Sequence, residues 1–318
     1  MPNVNPYLAS NLIADIKRRG QIPETSDGSY GTEDILAFAS DEIQGYLASF
    51  MQGIREEWFV RAYDYDLSNT NNQVNFDIPP RSIGSSIRQV LMGSAPNNWI
   101  ILQRVEPRES YSAYYGLTPN TFGNSGFGPG YIFEDSHIKL LSASYGGPTL
   151  RIMYFLRPNR LVLESACGLI TAINTNTNEV TVSDAPTTFT DGTYYDFIKS
   201  KPGFNTLALD QVADITGNVL TFTDDLPDDL VVGDYIALAG ESPIPQIPVE
   251  LHQLLAQRVV VKILESAGDP KMQVAREMLE SQRLEALVLA TPRSVGDSRY
   301  IKNIHGPGWG GRTRFGGY

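Results

Sequence analysis

The sequence predicts an α+β protein: a discontinuous helical domain with accessory strands and an inserted small β-barrel or β-sandwich module. Three observations predict it. Apolar residues recur at helical spacing near both ends of the 318-residue chain, short alternating strands fill the middle, and composition changes abruptly after Arg157-Pro158-Asn159-Arg160. Residues 1–161 and 243–292 are expected to be two parts of one helical domain, 162–242 the insertion, and 293–318 an extended arm.

Thr32 is the expected N-cap of the first long helix, with Glu33 and Asp34 at the positive end of its dipole. Ile35, Ala39, Ile43, Tyr46, Leu47, Phe50, Met51, Ile54 and Trp58 then make an amphipathic stripe that predicts helix to about Arg61. Gln73-Val74-Asn75-Phe76-Asp77-Ile78 alternates like a strand and stops at Pro79-Pro80. Further helix is expected over 82–92. Trp99-Ile100-Ile101-Leu102, Tyr131-Ile132-Phe133, Ile138-Lys139-Leu140-Leu141 and Leu150-Arg151-Ile152-Met153-Tyr154-Phe155 are predicted strands, with a Gly-, Asn- and Pro-rich loop at 116–130.

The insertion carries a weak internal repeat. Val180-Thr181-Val182-Ser183-Asp184-Ala185-Pro186 resembles Leu220-Thr221-Phe222-Thr223-Asp224-Asp225-Leu226-Pro227, each proline is followed six residues later by Gly192 or Gly233, and Tyr194 matches Tyr235. Two such units predict a barrel or sandwich whose halves pair with each other. Residues 162–242 hold thirteen acids against Lys199 and Lys201, a net of −11, equal to the whole protein's charge. Such a module does not grip nucleic acid. Lining a channel, it lets a polyanion pass without sticking; a plain solubilising role is the other reading. Asp224, Asp225, Asp228 and Asp229 lack the glycine and spacing of a calcium loop, so they are expected in a solvated hairpin loop, exposed to any channel the module lines.

Pro243-Ile244-Pro245-Gln246-Ile247-Pro248 is a stiff linker into a helix with Leu251, Leu254, Leu255, Val259, Ile263 and Leu264 on one face, closed by Gly268. Asp269 is the expected cap of a second helix that ends at Thr291-Pro292. The last 26 residues hold five basic residues (Arg293, Arg299, Lys302, Arg312, Arg314) against Asp297, a net of +4. With six glycines and no burial period after Gly306, they cannot offset their own ordering entropy. Trp309, Arg312, Arg314, Phe315 and Tyr318 are the residue types of binding hot spots, which makes the segment a docking arm rather than a frayed end.

Recognisable catalytic chemistry is not legible. The chain has no G-x-S-x-G elbow, phosphate loop, H-E-x-x-H or C-x-x-C, and its three histidines (His137, His252, His305) lie in different segments. No enzyme activity, cofactor or metal is expected. Cys167, alone, excludes an internal disulfide and is expected to be a small buried residue. Lys17, Arg18 and Arg19 follow the apolar Leu12, Ile13 and Ile16, the reverse of a signal peptide, and no membrane partner is expected.

Four segments in their order, Thr32-Glu33-Asp34-Ile35-Leu36 with Asp41-Glu42, Ile78-Pro79-Pro80-Arg81-Ser82-Ile83-Gly84, Leu150-Arg151-Ile152-Met153-Tyr154-Phe155-Leu156-Arg157-Pro158 and Ile247-Pro248-Val249-Glu250-Leu251-His252, resemble the head-to-tail connector (adaptor or neck) proteins of tailed bacteriophages. The likeness spans most of the chain. It implies a helical adaptor domain assembled into a ring, commonly dodecameric, beneath the portal protein at the head–tail junction of a virion. DNA would run through the central channel without sequence-specific binding, a tail or nozzle protein would sit below, and the arm would reach the portal, DNA being the competing partner. The alternative is a carbohydrate-binding virion or surface protein, with the aromatic-rich loop 111–131 as its sugar platform.

Overall fold

The structure, a computed structural model, describes residues 5–22, 30–68, 74–94, 98–106, 130–141, 149–201 and 206–291. Helix α1 (Ala9–Gly20) buries Ala9, Leu12, Ile13 and Ile16 and places Lys17, Arg18 and Arg19 in its last turn, where the dipole favours cations. Helix α2 (Thr32–Glu42) is capped by Gly31, not Thr32: the Asp34 carboxylate accepts the Gly31 N–H at 2.8 Å. A π-helical turn at Ile43–Leu47 leads into α3 (Ala48–Ile54). The helix therefore stops earlier than Arg61, because Arg55 turns out at φ −152° and Trp58 falls in a 3-10 turn, Glu56–Phe59.

Strand β1 (Val60–Asp66) follows, then β2 (Asn75–Asp77), β3 (Ser82–Ser94), β4 (Asn98–Ile101), β5 (Gln103–Arg104), β6 (Gly130–Glu134), β7 (His137–Leu140) and β8 (Thr149–Leu156). They form two four-stranded sheets in the orders β1-β8-β3-β4 and β2-β7-β6-β5. The helix expected at 82–92 is strand β3. Ile83, Ile87, Val90 and Leu91 mimic a helical stripe, but Gly84 and Ser85 take positive φ (54° and 57°) and bulge the chain between Ser82 and Ile87. Beyond the bulge β3 pairs with β8, and Val90 and Met92 join Leu150, Ile152 and Tyr154 against Phe76, Ile138 and Leu140. What the sequence suggests are accessory strands thus own a core separate from the helices.

The chain leaves through β9 (Arg160–Leu161) into a closed six-stranded barrel made of β10 (Gly168–Asn174), β11 (Glu179–Val182), β12 (Thr193–Ile198), β13 (Thr206–Thr216), β14 (Val219–Phe222) and β15 (Tyr235–Leu238), ordered β10-β11-β14-β13-β12-β15. It returns through β16 (Glu241–Ser242), which pairs in parallel with β9 and ties entry to exit. The repeat is a structural two-fold. Exchanging β10, β11, β12 with β13, β14, β15 maps the set of barrel pairings onto itself; Val180 faces Leu220 and Asp196 faces Ala237, so the axis passes through both pairs. Loop bonds repeat as well: Phe189 N–H donates to Pro186 O and Leu230 N–H to Pro227 O (both 3.0 Å), while Gly192 N–H donates to Ala213 O (3.0 Å) and Gly233 N–H to Ile170 O (2.9 Å). Gly192 and Gly233 sit at φ +68° and +97°, which explains their shared spacing after proline.

Helices α4 (His252–Ala267) and α5 (Met272–Ala290) complete the chain as an antiparallel hairpin. α4 packs on α1 and α2 through Leu254, Leu255, Val259 and Ile263, so helices from both ends share one core with Leu161 and Ile247. Of the described residues 34% are helical and 36% are in strands, an α+β composition.

Candidate functional site

The acidic loop falls at one end of the barrel. After β14 the chain turns so that Leu226 and Leu230 plug the barrel while Asp224, Asp225, Asp228 and Asp229 stay exposed. Val231 and Val232 stand out beside them, 54% and 61% exposed. Buried Asp234 shapes this tip from beneath: Oδ2 accepts the Val231 N–H at 3.1 Å and Oδ1 the Ser200 N–H at 2.8 Å. The two-fold places an equivalent loop after β11, and because β11 and β14 are antiparallel it lies at the opposite end. There Phe189 is the plug, packed edge-on to Tyr195, and the exposed residues are Thr187, Thr188, Thr190 and Asp191.

A second surface lies on α5. Met272, Ala275, Leu279, Ala286 and Ala290 turn to the helical core. Val274, Met278, Val288 and Leu289 fall on a second arc about 100° wide, beside the first and shared with exposed Ser281 and Glu285; Leu284 lies just past its far edge, and Val274, Leu284 and Leu289 are 62–65% exposed. A helix with a second, mostly apolar face is suited to burial between two partners. The described residues supply one.

Sequence reasoning missed a charged junction where the three cores meet. Arg81, in the turn before β3, donates from Nη1 to Asp196 Oδ1 (2.8 Å) and Asp210 Oδ1 (3.3 Å), and from Nη2 to Asn159 Oδ1 (2.5 Å). The Asp196 side chain is 0% exposed and also accepts the Asp210 N–H (3.1 Å), the Gly240 N–H (2.9 Å) and Asn159 Nδ2 (2.8 Å). Gln246 closes the set, accepting the Asn159 N–H at 2.8 Å and donating to Thr206 Oγ1 at 2.8 Å. Desolvation raises the Asp210 carboxyl against the opposing pull of Arg81. The only signal in the sequence is Asp196 in an otherwise apolar strand, Tyr194-Tyr195-Asp196-Phe197-Ile198. A second node joins the helices: buried Glu42 pairs with Arg258, which stacks on Tyr46, and with Lys262 at 2.8 Å.

The remaining candidates do not converge. His137 lies on β7 beside Asp77 (2.5 Å), whereas His252 is packed edge-on to Tyr7, and desolvation lowers its pKa. Cys167 is buried and desolvation pushes its thiol up, as suits an unreactive residue. Among the described residues no group of three or more His, Cys, Asp or Glu is placed to hold a metal, and no helix is long and apolar enough to cross a membrane. Trp309, Arg312, Arg314, Phe315 and Tyr318, with His305 and most of the loop 111–131, lie outside the described residues. No protein-family model matches the chain, and no curated protein does.

Proposed function

We propose that this chain is a structural virion subunit that packs side by side with copies of itself into a ring, the connector between a phage head and its tail. The observation that carries the reading is the second, mostly apolar face of α5, left uncovered among the described residues. In a ring every subunit offers the same surface to its neighbour, so one uncovered stripe per chain serves the whole circle. The resemblance supplies the setting: a portal above, a tail or nozzle protein below, twelve copies, and DNA passing through the centre. The barrel's net charge of −11 supports it, since a wall of like charge holds no phosphate. The role is assembly rather than catalysis.

In this setting residues 293–318 reach the portal, anchored by Trp309, Arg312, Arg314, Phe315 and Tyr318. Deleting residues 306–318 is expected to leave thermal unfolding unchanged while strongly weakening attachment to DNA-filled heads. Wild-type occupancy of heads by the truncated protein would refute the docking role, and loss of bare-DNA binding alone would assign the arm to nucleic acid.

A further inference from the structure

The two ends of the barrel are an internal control. Both loops repeat the same proline turn, apolar plug and glycine contact, so the fold needs only those elements. The exposed positions differ: Thr187, Thr188, Thr190 and Asp191 at one end answer to Asp228, Asp229, Val231 and Val232 at the other. Thr190 and Asp191 serve the fold, through Thr193 Oγ1 (2.7 Å) and the Ile215 N–H (2.7 Å), whereas the carboxylates of Asp228 and Asp229 hold no hydrogen-bond or ion-pair partner among the described residues. Threonine at the first three suffices for the backbone, so neither the extra charge nor the exposed valine is there for folding. An exposed apolar pair in one loop with four exposed carboxylates fits a basic segment that also carries apolar groups.

The chain contains one. Residues 293–318 carry +4 in side-chain charge with Trp309, Phe315 and Tyr318, the inverse of the tip. Twenty-six residues span up to about 85 Å when extended, and a folded chain of this length has a radius of gyration of about 20 Å. That reach exceeds the diameter of a compact chain of this length, about 50 Å.

We propose that the tip formed by Asp224, Asp225, Asp228, Asp229, Val231 and Val232 is a docking surface for the chain's own basic segment 293–318, held there while the chain is free of its partner. The inference rests on reading that segment as a docking arm. Its consequence is control of assembly order: the arm stays shielded on an acidic rest until a better site displaces it, a population shift driven by the difference in affinity.

The test uses the free full-length chain and needs no heads, so its outcome is independent of the connector reading. Trypsin cleavage after Lys302, Arg312 and Arg314 is timed in the native chain and in the triple variant Asp228→Thr, Asp229→Thr, Val231→Thr, which copies the equivalent loop. The arm is expected to be cut about tenfold faster in the variant, and the native chain to lose its protection as salt screens the exposed charges. Neutralising exposed acids elsewhere on the barrel, Asp184→Asn with Asp214→Asn, is expected to change nothing. Carbodiimide coupling in a mixture of light and heavy chains should join Lys302 to a tip carboxylate within one chain. Equal cleavage in all variants, or coupling only between chains, overturns the proposal.

Discussion

Replacing Arg81 by Met removes the one positive charge that touches buried Asp196 while keeping most of the side chain's apolar volume. The carboxylate then keeps three neutral donors, the N–H groups of Asp210 and Gly240 and the Asn159 amide. Breaking a buried pair from one side costs about 3–5 kcal/mol, and the surviving bonds place the expected loss at the lower end, about 3 kcal/mol. The penalty sits where the barrel, the two four-stranded sheets and the helices join, so it should appear there first. Hydrogen exchange at the Asp210 and Gly240 amides, measured by NMR, is expected to accelerate about 10²-fold, the equivalent of that energy. Asp196→Asn keeps the shape without the charge, and the double variant should recover part of the loss. An Arg81→Met protein whose amides exchange within twofold of wild type would refute the reasoning.

Three further outcomes follow from the same geometry. Met278→Glu with Val288→Glu changes exposed positions, so unfolding should shift by less than about 0.5 kcal/mol while ring assembly on heads is abolished, as counted in electron micrographs; assembly at wild-type efficiency would clear α5 of any interface role. His252 has a folded pKa lowered by burial from 6.5, so its contribution is complete above that value and is lost as pH falls below it; urea midpoints between pH 7 and 5 should decline less in His252→Phe than in wild type. Residues 162–242 expressed alone should give a dispersed amide spectrum, because the barrel has its own core, and Asp196→Asn should stabilise the fragment, which lacks Arg81; a random-coil spectrum from both would tie barrel folding to its neighbours.

Where local pattern and tertiary demand agree, the sequence was legible. The repeat around Pro186 and Pro227 led to halves that pair, because turn chemistry and alternation are local properties. The strands β4, β6, β7 and β8 and the hairpin α4–α5 stood out for the same reason. β3 did not, since its apolar spacing satisfies a helix and only pairing with β8 decides. α1 is not legible as a helix because its packing partner, α4, lies more than 200 residues away. Of the candidate surfaces, the acidic tip was visible as composition, but Val231 and Val232 gained meaning only beside the equivalent loop. The Arg81–Asp196 junction was hidden because its members come from segments more than 100 residues apart in sequence.

Imaging of purified virions that carry this chain decides whether it forms the connector ring. Density for it is expected as a closed ring at the head–tail junction, with Val274, Met278 and Val288 of each subunit covered by the next. Finding the chain only on distal fibres, or absent from the junction, would contradict the connector proposal.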